Sequence, residues 1–358
     1  MISVAHFPRR KFLKTIGSAA VVSAFPDLLL GSQSRKPYVA IFWEPGFPAF
    51  DDCKLTQNAL LESVRDIAAH SFLNERELIA QLNNFPYELL ITPYGSAFPK
   101  RAWTEILKFL RRGGNWLNLG GVPLTRPVVR VGNGWRAESH QTTYHKQLGI
   151  THSFPVKSSG ISTYETAYDL KRDFRADEIY ELYVRLSSTK NEPAEDGSDG
   201  PHEGVVRSLM LGLNRDGRPI AAPVIQIDRL LSEFAGGRWV FANYTGTLGS
   251  RAISVLVQNA VHGASRLEVK SEFACYRPGE IPSLTVQLNR PKGDLEKLTL
   301  KDCAIEVRDQ NGGLVSQMTA NFKVQNIIAT ASAKLSDSPN LAPGLYKDDI
   351  SHQCLPVG

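Results

Sequence analysis

Short apolar runs alternate with helically spaced segments between residues 38 and 121, and this alternation predicts an α/β sheet. Each predicted strand is a nearly continuous apolar run closed by Pro or Gly, which is typical of a parallel strand buried on both faces. In the predicted helices, apolar residues recur at intervals of three and four. The predicted strands are 38–43, 88–93 and 116–119, and the predicted helices are 55–69, 75–82 and 99–112. Strands and helices that alternate across short loops indicate an open, largely parallel sheet.

The pattern loosens after Pro123. Residues 123 to about 217 are rich in Gly, Ser, His and Tyr, and we interpret them as a long insertion into the α/β domain. Regular patterning then resumes with strands predicted at 219–227 and 238–243. A helix predicted at 253–262 closes the domain.

From Leu267 onwards, apolar and polar residues alternate at period two in about six segments. Turn signals such as Pro278-Gly279 and Gly312-Gly313 separate them. The pattern predicts an all-β immunoglobulin-like sandwich over residues 266–351, followed by a tail at 352–358. A sandwich without its closing strand has an open edge, so we interpret this one as incomplete and the chain as cut short. A compact six-strand variant with a tail is the alternative.

The first 24 residues predict export. Arg9 and Arg10 precede Lys11, Phe12, Leu13 and Lys14, and a modest apolar stretch follows at 16–24. This order resembles a twin-arginine signal peptide, and Val22-Ser23-Ala24 fits its small-x-small cleavage pattern. The interpretation implies a twin-arginine translocase as partner, a linker at 25–36, and a periplasmic or extracellular location. A basic amphipathic helix on a cytoplasmic protein is the alternative.

Removing that segment changes what the charge implies. It carries four basic residues and no acidic one, so the formal net charge falls from +5 to +1. A nearly neutral mature chain gives no argument for nucleic-acid binding. The apolar stretch at 16–24 is too short to span a bilayer, and no second stretch approaches that length.

A family resemblance rests on two segments and a helix. They are 87–95 (Tyr-Glu-Leu-Leu-Ile-Thr-Pro-Tyr-Gly), the helix around Trp103, and 109–121 (Phe-Leu-Arg-Arg-Gly-Gly-Asn-Trp-Leu-Asn-Leu-Gly-Gly). In this layout residues 37–265 resemble the class I glutamine-amidotransferase-like fold. The likeness is to the non-catalytic version that accompanies large bacterial glycoside hydrolases, such as the trimerisation domain of β-galactosidases. It implies a flavodoxin/amidotransferase-like open parallel sheet, and a homo-oligomer as a candidate assembly.

The chain departs from a working amidotransferase at the nucleophile. That enzyme class places a cysteine on the sharp turn after a central strand. Here the turns after 89–92 and 116–119 carry Tyr94-Gly95 and Gly120-Gly121-Val122, and Cys53 precedes the first predicted helix. With no thiolate and activating base recognisable, we do not expect ammonia-channelling chemistry.

The carboxyl edge of the sheet is where open α/β folds bind ligands. Aromatic faces there stack on sugars, and carboxylates accept hydrogen bonds from hydroxyls. The alternative is that these side chains pack loops onto the core and cap turns. The candidate ligand-binding residues at this edge are Trp43, Glu44, Asp51, Asp52, Tyr94 and Asn118.

Other motifs are weaker. His145 belongs to a His- and Tyr-rich stretch and is a further ligand-binding candidate, although surface or core packing is favoured over a metal site.

Gly132-Asn133-Gly134 begins a GxGxxA match that lacks a following helix, so we interpret it as a turn. Cys275 and Cys303 are a candidate disulfide, with buried free thiols as the alternative. We predict no cofactor, no metal site and no catalytic residues.

The preferred hypothesis is a non-catalytic N-terminal portion of an exported glycoside-hydrolase-like protein, with a structural, oligomerisation or carbohydrate-binding role. The alternatives are a stand-alone exported carbohydrate hydrolase and a periplasmic binding or adhesion protein.

Overall fold

The computed structural model describes residues 36–168, 170–171, 173–186 and 203–264, and seven strands between 267 and 351. The predicted signal, Cys275 and most of the polar segment 189–204 lie outside these residues. The chain divides into two compact units at Ala264. The class is mixed α/β with several sheets, and strands predominate.

The helices are α1 (Gln57–Val64), α2 (Glu75–Gln81), α3 (Trp103–Arg111), α4 (Thr143–Lys146) and α5 (Ser250–Val261). The strands of the first unit are β1 (Tyr38–Phe42), β2 (Ala69–Leu73), β3 (Leu89–Thr92), β4 (Ala97–Pro99), β5 (Asn115–Leu119), β6 (Arg126–Val131), β7 (Gly134–Ala137), β8 (Ile150–Lys157), β9 (Thr163–Thr166), β10 (Arg175–Val184), β11 (Gly204–Leu213), β12 (Pro219–Arg229), β13 (Arg238–Ala242) and β14 (Tyr244–Thr247).

An eight-stranded mixed sheet organises the first unit. Its order is β2-β1-β3-β5-β13-β12-β11-β9. The five strands from β2 to β13 are parallel, and β12, β11 and β9 continue the sheet in antiparallel pairing. The carboxyl ends of the parallel strands therefore lie along one edge.

Helices cover both faces of the parallel strands, and this explains their continuous apolar runs. Alternate residues of a strand point to opposite faces. In β1, Val39 and Ile41 belong to one buried cluster, together with side chains of α1 and α5. Ala40 and Phe42 belong to a second cluster with side chains of α2 and α3.

Two helix predictions need correction. The helix predicted at 55–69 ends at Val64, and Ala69 begins the edge strand β2 instead. The helix predicted at 99–112 becomes a regular α-helix only at Trp103, because Pro99 ends β4 and a 3-10 turn intervenes. The strands predicted at 38–43, 88–93 and 116–119 are confirmed as β1, β3 and β5.

The segment 123–217 contributes to three sheets. β9 and β11 extend the main sheet, β6 and β7 form a three-stranded sheet with β4, and β8 and β10 form another with β14. Residues Gly132 and Asn133 make the two-residue connection of the β6–β7 hairpin, with Gly132 at a φ of 58°. The turn interpretation of the GxGxxA match is confirmed.

The second unit contains only antiparallel pairings among its described strands. Its strands are β15 (Leu267–Ser271), β16 (Ser283–Asn289), β17 (Cys303–Asp309), β18 (Leu314–Ala320), β19 (Lys323–Gln325), β20 (Ile328–Lys334) and β21 (Tyr346–Ser351). They form the sheets β15-β16-β20-β19 and β18-β17-β21. Each of the six predicted segments overlaps one strand, and β19 was not predicted.

Candidate functional site

The loop after β1 lies on the carboxyl edge of the main sheet, where it contacts residues that follow β3, β5 and β13. We call the loop after β1, together with the residues after β3, β5 and β13 that it contacts, the carboxyl-edge site. Glu44, Asp51 and Cys53 of the loop reach Tyr94, Ser96 and Tyr244 respectively. Six of the candidates predicted from sequence, all except His145, therefore lie at or beside one edge, as the strand order requires.

The aromatic candidates pack against each other and against the core. Tyr94 is 8% exposed, and its ring centroid lies 5.6 Å from that of Trp43 and 4.9 Å from that of Phe47. The Glu44 backbone N–H donates to the Tyr94 hydroxyl at 2.9 Å, and that hydroxyl donates to the Glu44 carbonyl at 3.0 Å. Burial raises the pKa of Tyr94 to about 12. These contacts hold the β1 loop against β3 and favour the packing interpretation of Tyr94.

The Glu44 carboxylate caps α2. One oxygen accepts from the Glu75 backbone N–H at 3.0 Å, at the first helical position, where N–H groups lack partners within the helix. The other lies 3.9 Å from Arg130. Glu75 was not predicted from sequence, yet its side chain is buried and its Oε1 has no hydrogen-bond partner. Burial raises the pKa of Glu75, and the nearby Glu44 acts in the same direction, while the positive charges of Arg101 and Arg130 partly oppose this rise.

Asp51 fills the space between two glycine turns. Its Oδ1 accepts from the Ser96 backbone N–H at 2.7 Å. A Cβ added to Gly95, whose φ is 63°, would lie 2.5 Å from Asp51 Oδ1. A Cβ added to Gly121, whose φ is 44°, would overlap Asp51 Oδ2. The turn after β5 therefore packs directly on this carboxylate.

Asp52 and Cys53 continue the loop toward the core. Burial raises the pKa of Asp52. Cys53 is 1% exposed, its thiol donates to the Tyr244 carbonyl with Sγ and O 3.8 Å apart, and burial raises its pKa to about 12. A cysteine in this environment is protonated at neutral pH and inert as a nucleophile.

Asn118 lies inside the sheet in a polar chain. Its Oδ1 accepts from the Thr92 hydroxyl at 2.8 Å, and its Nδ2 donates to the Gly120 carbonyl at 2.7 Å. The Trp116 indole N–H donates to Thr92 at 2.8 Å. With 2% of its surface exposed, Asn118 supports the turn after β5.

His145 is separate from these residues. It lies in α4, it is 1% exposed, and neither ring nitrogen has a hydrogen-bond partner. Burial lowers its pKa to about 4, and the positive fields of His140, Lys146 and His152 act in the same direction. Surface or packed histidines were expected here, and His145 is buried.

In the described part of the chain, no group of three or more His, Cys, Asp or Glu residues is arranged to hold a metal ion. No helix there combines the length and apolarity needed to cross a membrane.

Comparisons with known proteins give structural neighbours among glycoside hydrolases. No protein-family model matches the chain, and no curated protein matches it. A catalytic mutant of the family 42 β-galactosidase Gan42B from G. stearothermophilus aligns at 13% identity and a TM-score of 0.33, over 84% of this chain and 40% of that one. A β-galactosidase from the haloarchaeon Halorubrum lacusprofundi aligns at 14% identity and a TM-score of 0.34, with the same coverage.

A third neighbour is α-L-fucosidase isoenzyme 2 from Paenibacillus thiaminolyticus, at 11% identity and a TM-score of 0.32, over 84% of this chain and 48% of that one. The chain spans about two fifths of the length of the β-galactosidases that it matches. Identities and TM-scores this low do not assign an activity to it.

Proposed function

We propose that this chain is a non-catalytic accessory portion of an exported glycoside-hydrolase-like protein. In this proposal the first unit is an amidotransferase-like α/β domain and the second is an immunoglobulin-like sandwich. The role is structural or carbohydrate-binding, and catalysis belongs to another segment or subunit.

One observation carries the proposal: the side chains of Glu44, Asp51 and Asn118 in the carboxyl-edge site are engaged by the protein itself. Glu44 caps α2, Asp51 packs between two glycine turns, and Asn118 supports the turn after β5. The thiol of Cys53 is buried and protonated. Reactive groups need a partner arrangement that activates them, and these side chains are arranged to hold loops together.

The strand order supports the finer fold assignment. The parallel strands run β2-β1-β3-β5-β13, which is the 2-1-3-4-5 order of flavodoxin-like sheets. The two antiparallel sheets of the second unit support a sandwich assignment, because a sandwich consists of two such sheets.

The test is sugar release by the purified mature chain, residues 25–358. We would incubate it with plant and microbial oligosaccharides, measure reducing ends, and measure binding in parallel. We expect no release above a heat-denatured control. Release that is lost in Glu75→Gln or Glu44→Gln would overturn the proposal.

A carbohydrate hydrolase is the second candidate, and Glu75 favours it. A buried carboxyl with a raised pKa and an unpartnered oxygen, beside a second carboxylate, is an arrangement that glycosidases use for a general acid. The same assay decides between the two candidates, because only the hydrolase requires the Glu75 carboxyl.

A further inference from the structure

We propose that an open cleft beside Phe154 and Tyr183, away from the carboxyl-edge site, binds a sugar unit of an oligosaccharide. This inference rests on the proposed function, because the cleft would be the site where a non-catalytic accessory unit binds carbohydrate. The cleft has a volume of about 470 Å³, within the range of small-molecule sites. Its lining residues are Phe154, Glu181, Leu182, Tyr183, Val184 and Val206.

Two aromatic rings are held at the cleft without being buried. Phe154 of β8 is 53% exposed and Tyr183 of β10 is 59% exposed, and their ring centroids lie 5.4 Å apart at 74°. Large aromatic side chains normally bury most of their surface. The strand pairing fixes both backbones, so the rings are presented on a rigid scaffold.

The strand register places polar groups around these rings. Phe154 pairs with Glu181, and Tyr183 pairs with His152, so all four residues lie on one face of the β8–β10 pair. The Glu181 carboxylate is held in place because one oxygen accepts from the Ala222 backbone N–H. A carboxylate, an imidazole and a phenol beside two ring faces provide both hydrogen-bond donors and acceptors.

This combination matches the two chemically different parts of a sugar. The C–H groups of a pyranose face carry partial positive charge and pack on the negative face of an aromatic ring. The hydroxyl groups at its rim require polar partners, which Glu181 and the Tyr183 hydroxyl provide in the cleft lining, with His152 next to Tyr183 on the same strand face. A purely apolar ligand would remove water from these polar groups without supplying hydrogen bonds in exchange.

The size of the patch argues against a stable protein partner. In the described part of the chain six residues line the cleft, whereas a stable protein interface uses about 20–30 residues on each side. Self-association through this face is therefore an outcome that the test must detect, and it is not what we propose.

The experiment is isothermal titration of the mature full-length chain with four probes, the hexaoses of β-1,4-linked glucose, xylose, mannose and galactose. We expect at least one hexaose to bind. We expect Tyr183→Ala and Phe154→Ala each to weaken that binding at least tenfold, or about 1.4 kcal/mol. Tyr183→Trp should retain binding, because it restores an aromatic face. Phe85→Ala removes an exposed aromatic ring elsewhere and should change the affinity less than twofold.

The outcomes separate this inference from the proposed function. Failure of all four hexaoses to bind, or equal binding by wild type and Tyr183→Ala, would overturn the cleft assignment. Sedimentation showing that Tyr183→Ala dissociates an oligomer, without sugar binding, would assign the face to self-association and overturn it too. If the chain released sugar and Tyr183→Ala still weakened hexaose binding, only the non-catalytic role would be overturned. Unfolding temperatures within about 2 °C of wild type would show that the variants fold, as exposed substitutions should.

Discussion

His145 shows how a single buried side chain links sequence to pH dependence. It lies in α4 with its ring buried, and neither ring nitrogen has a hydrogen-bond partner. Burial favours the neutral ring, so its pKa falls from 6.5 to about 4. Between these two values the unfolded chain binds a proton that the folded chain does not.

We therefore predict that the folded state loses stability as the pH falls from about 6.5 to about 4. The contribution of His145 is on the order of 3 kcal/mol when the pH is below both values. Urea unfolding from about pH 7.5 to about pH 3.5 measures it, a range that spans both pKa values. Tryptophan fluorescence is the signal, because all five tryptophans lie in the first unit. His145→Phe should flatten this dependence, while the exposed His140→Gln should not. If the free energy of unfolding changed with pH equally in wild type and His145→Phe, His145 would not be the source of the pH dependence.

Among the elements, the turns after β3 and β5 depend on Asp51. A methyl group at Gly121 would overlap its carboxylate, and the positive φ of Gly121 disfavours other residues. We predict that Gly121→Ala destabilises the first unit by at least about 3 kcal/mol.

In an Asp51→Ala background, Gly121→Ala should lower the free energy of unfolding by only about 1–2 kcal/mol. The strain of a positive φ at residue 121 remains there, but the overlap between its methyl group and the Asp51 carboxylate is removed. A double-mutant cycle in urea measures the coupling. Additive effects of the two substitutions would mean that Asp51 does not fill the space between these turns.

Asp228 connects three strands of the main sheet. It is fully buried, and its carboxylate accepts from Arg238 Nε at 2.7 Å, Arg207 Nη1 at 2.7 Å and Gln226 Nε2 at 2.9 Å. Removing one partner of a buried ion pair leaves uncompensated charge.

We predict that Asp228→Asn lowers the free energy of unfolding by about 3 kcal/mol, while Asp216→Asn in an exposed turn changes it by less than about 0.5 kcal/mol. Chemical denaturation of both variants measures the difference. Similar stabilities for both would show that this ion-pair network contributes little.

The sequence predicted the parallel strands that are buried on both faces, and it missed the edge strand β2 and the strands between residues 123 and 217, including the interior strands β10 and β11. β1, β3 and β5 are continuous apolar runs because helices cover both of their sides. β2 is an edge strand whose residues are mostly half-buried, and His70 and Ser71 interrupt its apolar pattern. From the sequence, only the position of the site at the carboxyl edge of the sheet could be predicted, because Glu44 and Asp51 follow a predicted strand. The packing of glycines around Asp51 could not be predicted, because those glycines belong to loops that are distant from it in sequence.

For the protein as a whole, the N-terminal segment predicts export. Arg9 and Arg10 precede Phe12, Leu13 and Lys14 in the order of a twin-arginine signal. Replacing both arginines by lysine preserves the charge and removes the guanidinium groups. We predict that the Arg9→Lys, Arg10→Lys double variant accumulates as full-length precursor in the cytoplasm, whereas Lys11→Gln is still exported. Fractionation and mass determination of the mature N-terminus measure this, and normal export of the double variant would contradict it.

In our proposal, the carboxyl-edge site of the first unit is a structural junction and not a catalytic centre. The measurement that tests this most directly is reducing-sugar release from oligosaccharides by the mature chain, compared with Glu75→Gln. We predict that wild type and variant both give the background of the heat-denatured control. If the wild-type chain released sugar and Glu75→Gln abolished that release, the carboxyl-edge site would be part of an active site. The structural role that we propose for it would then be wrong.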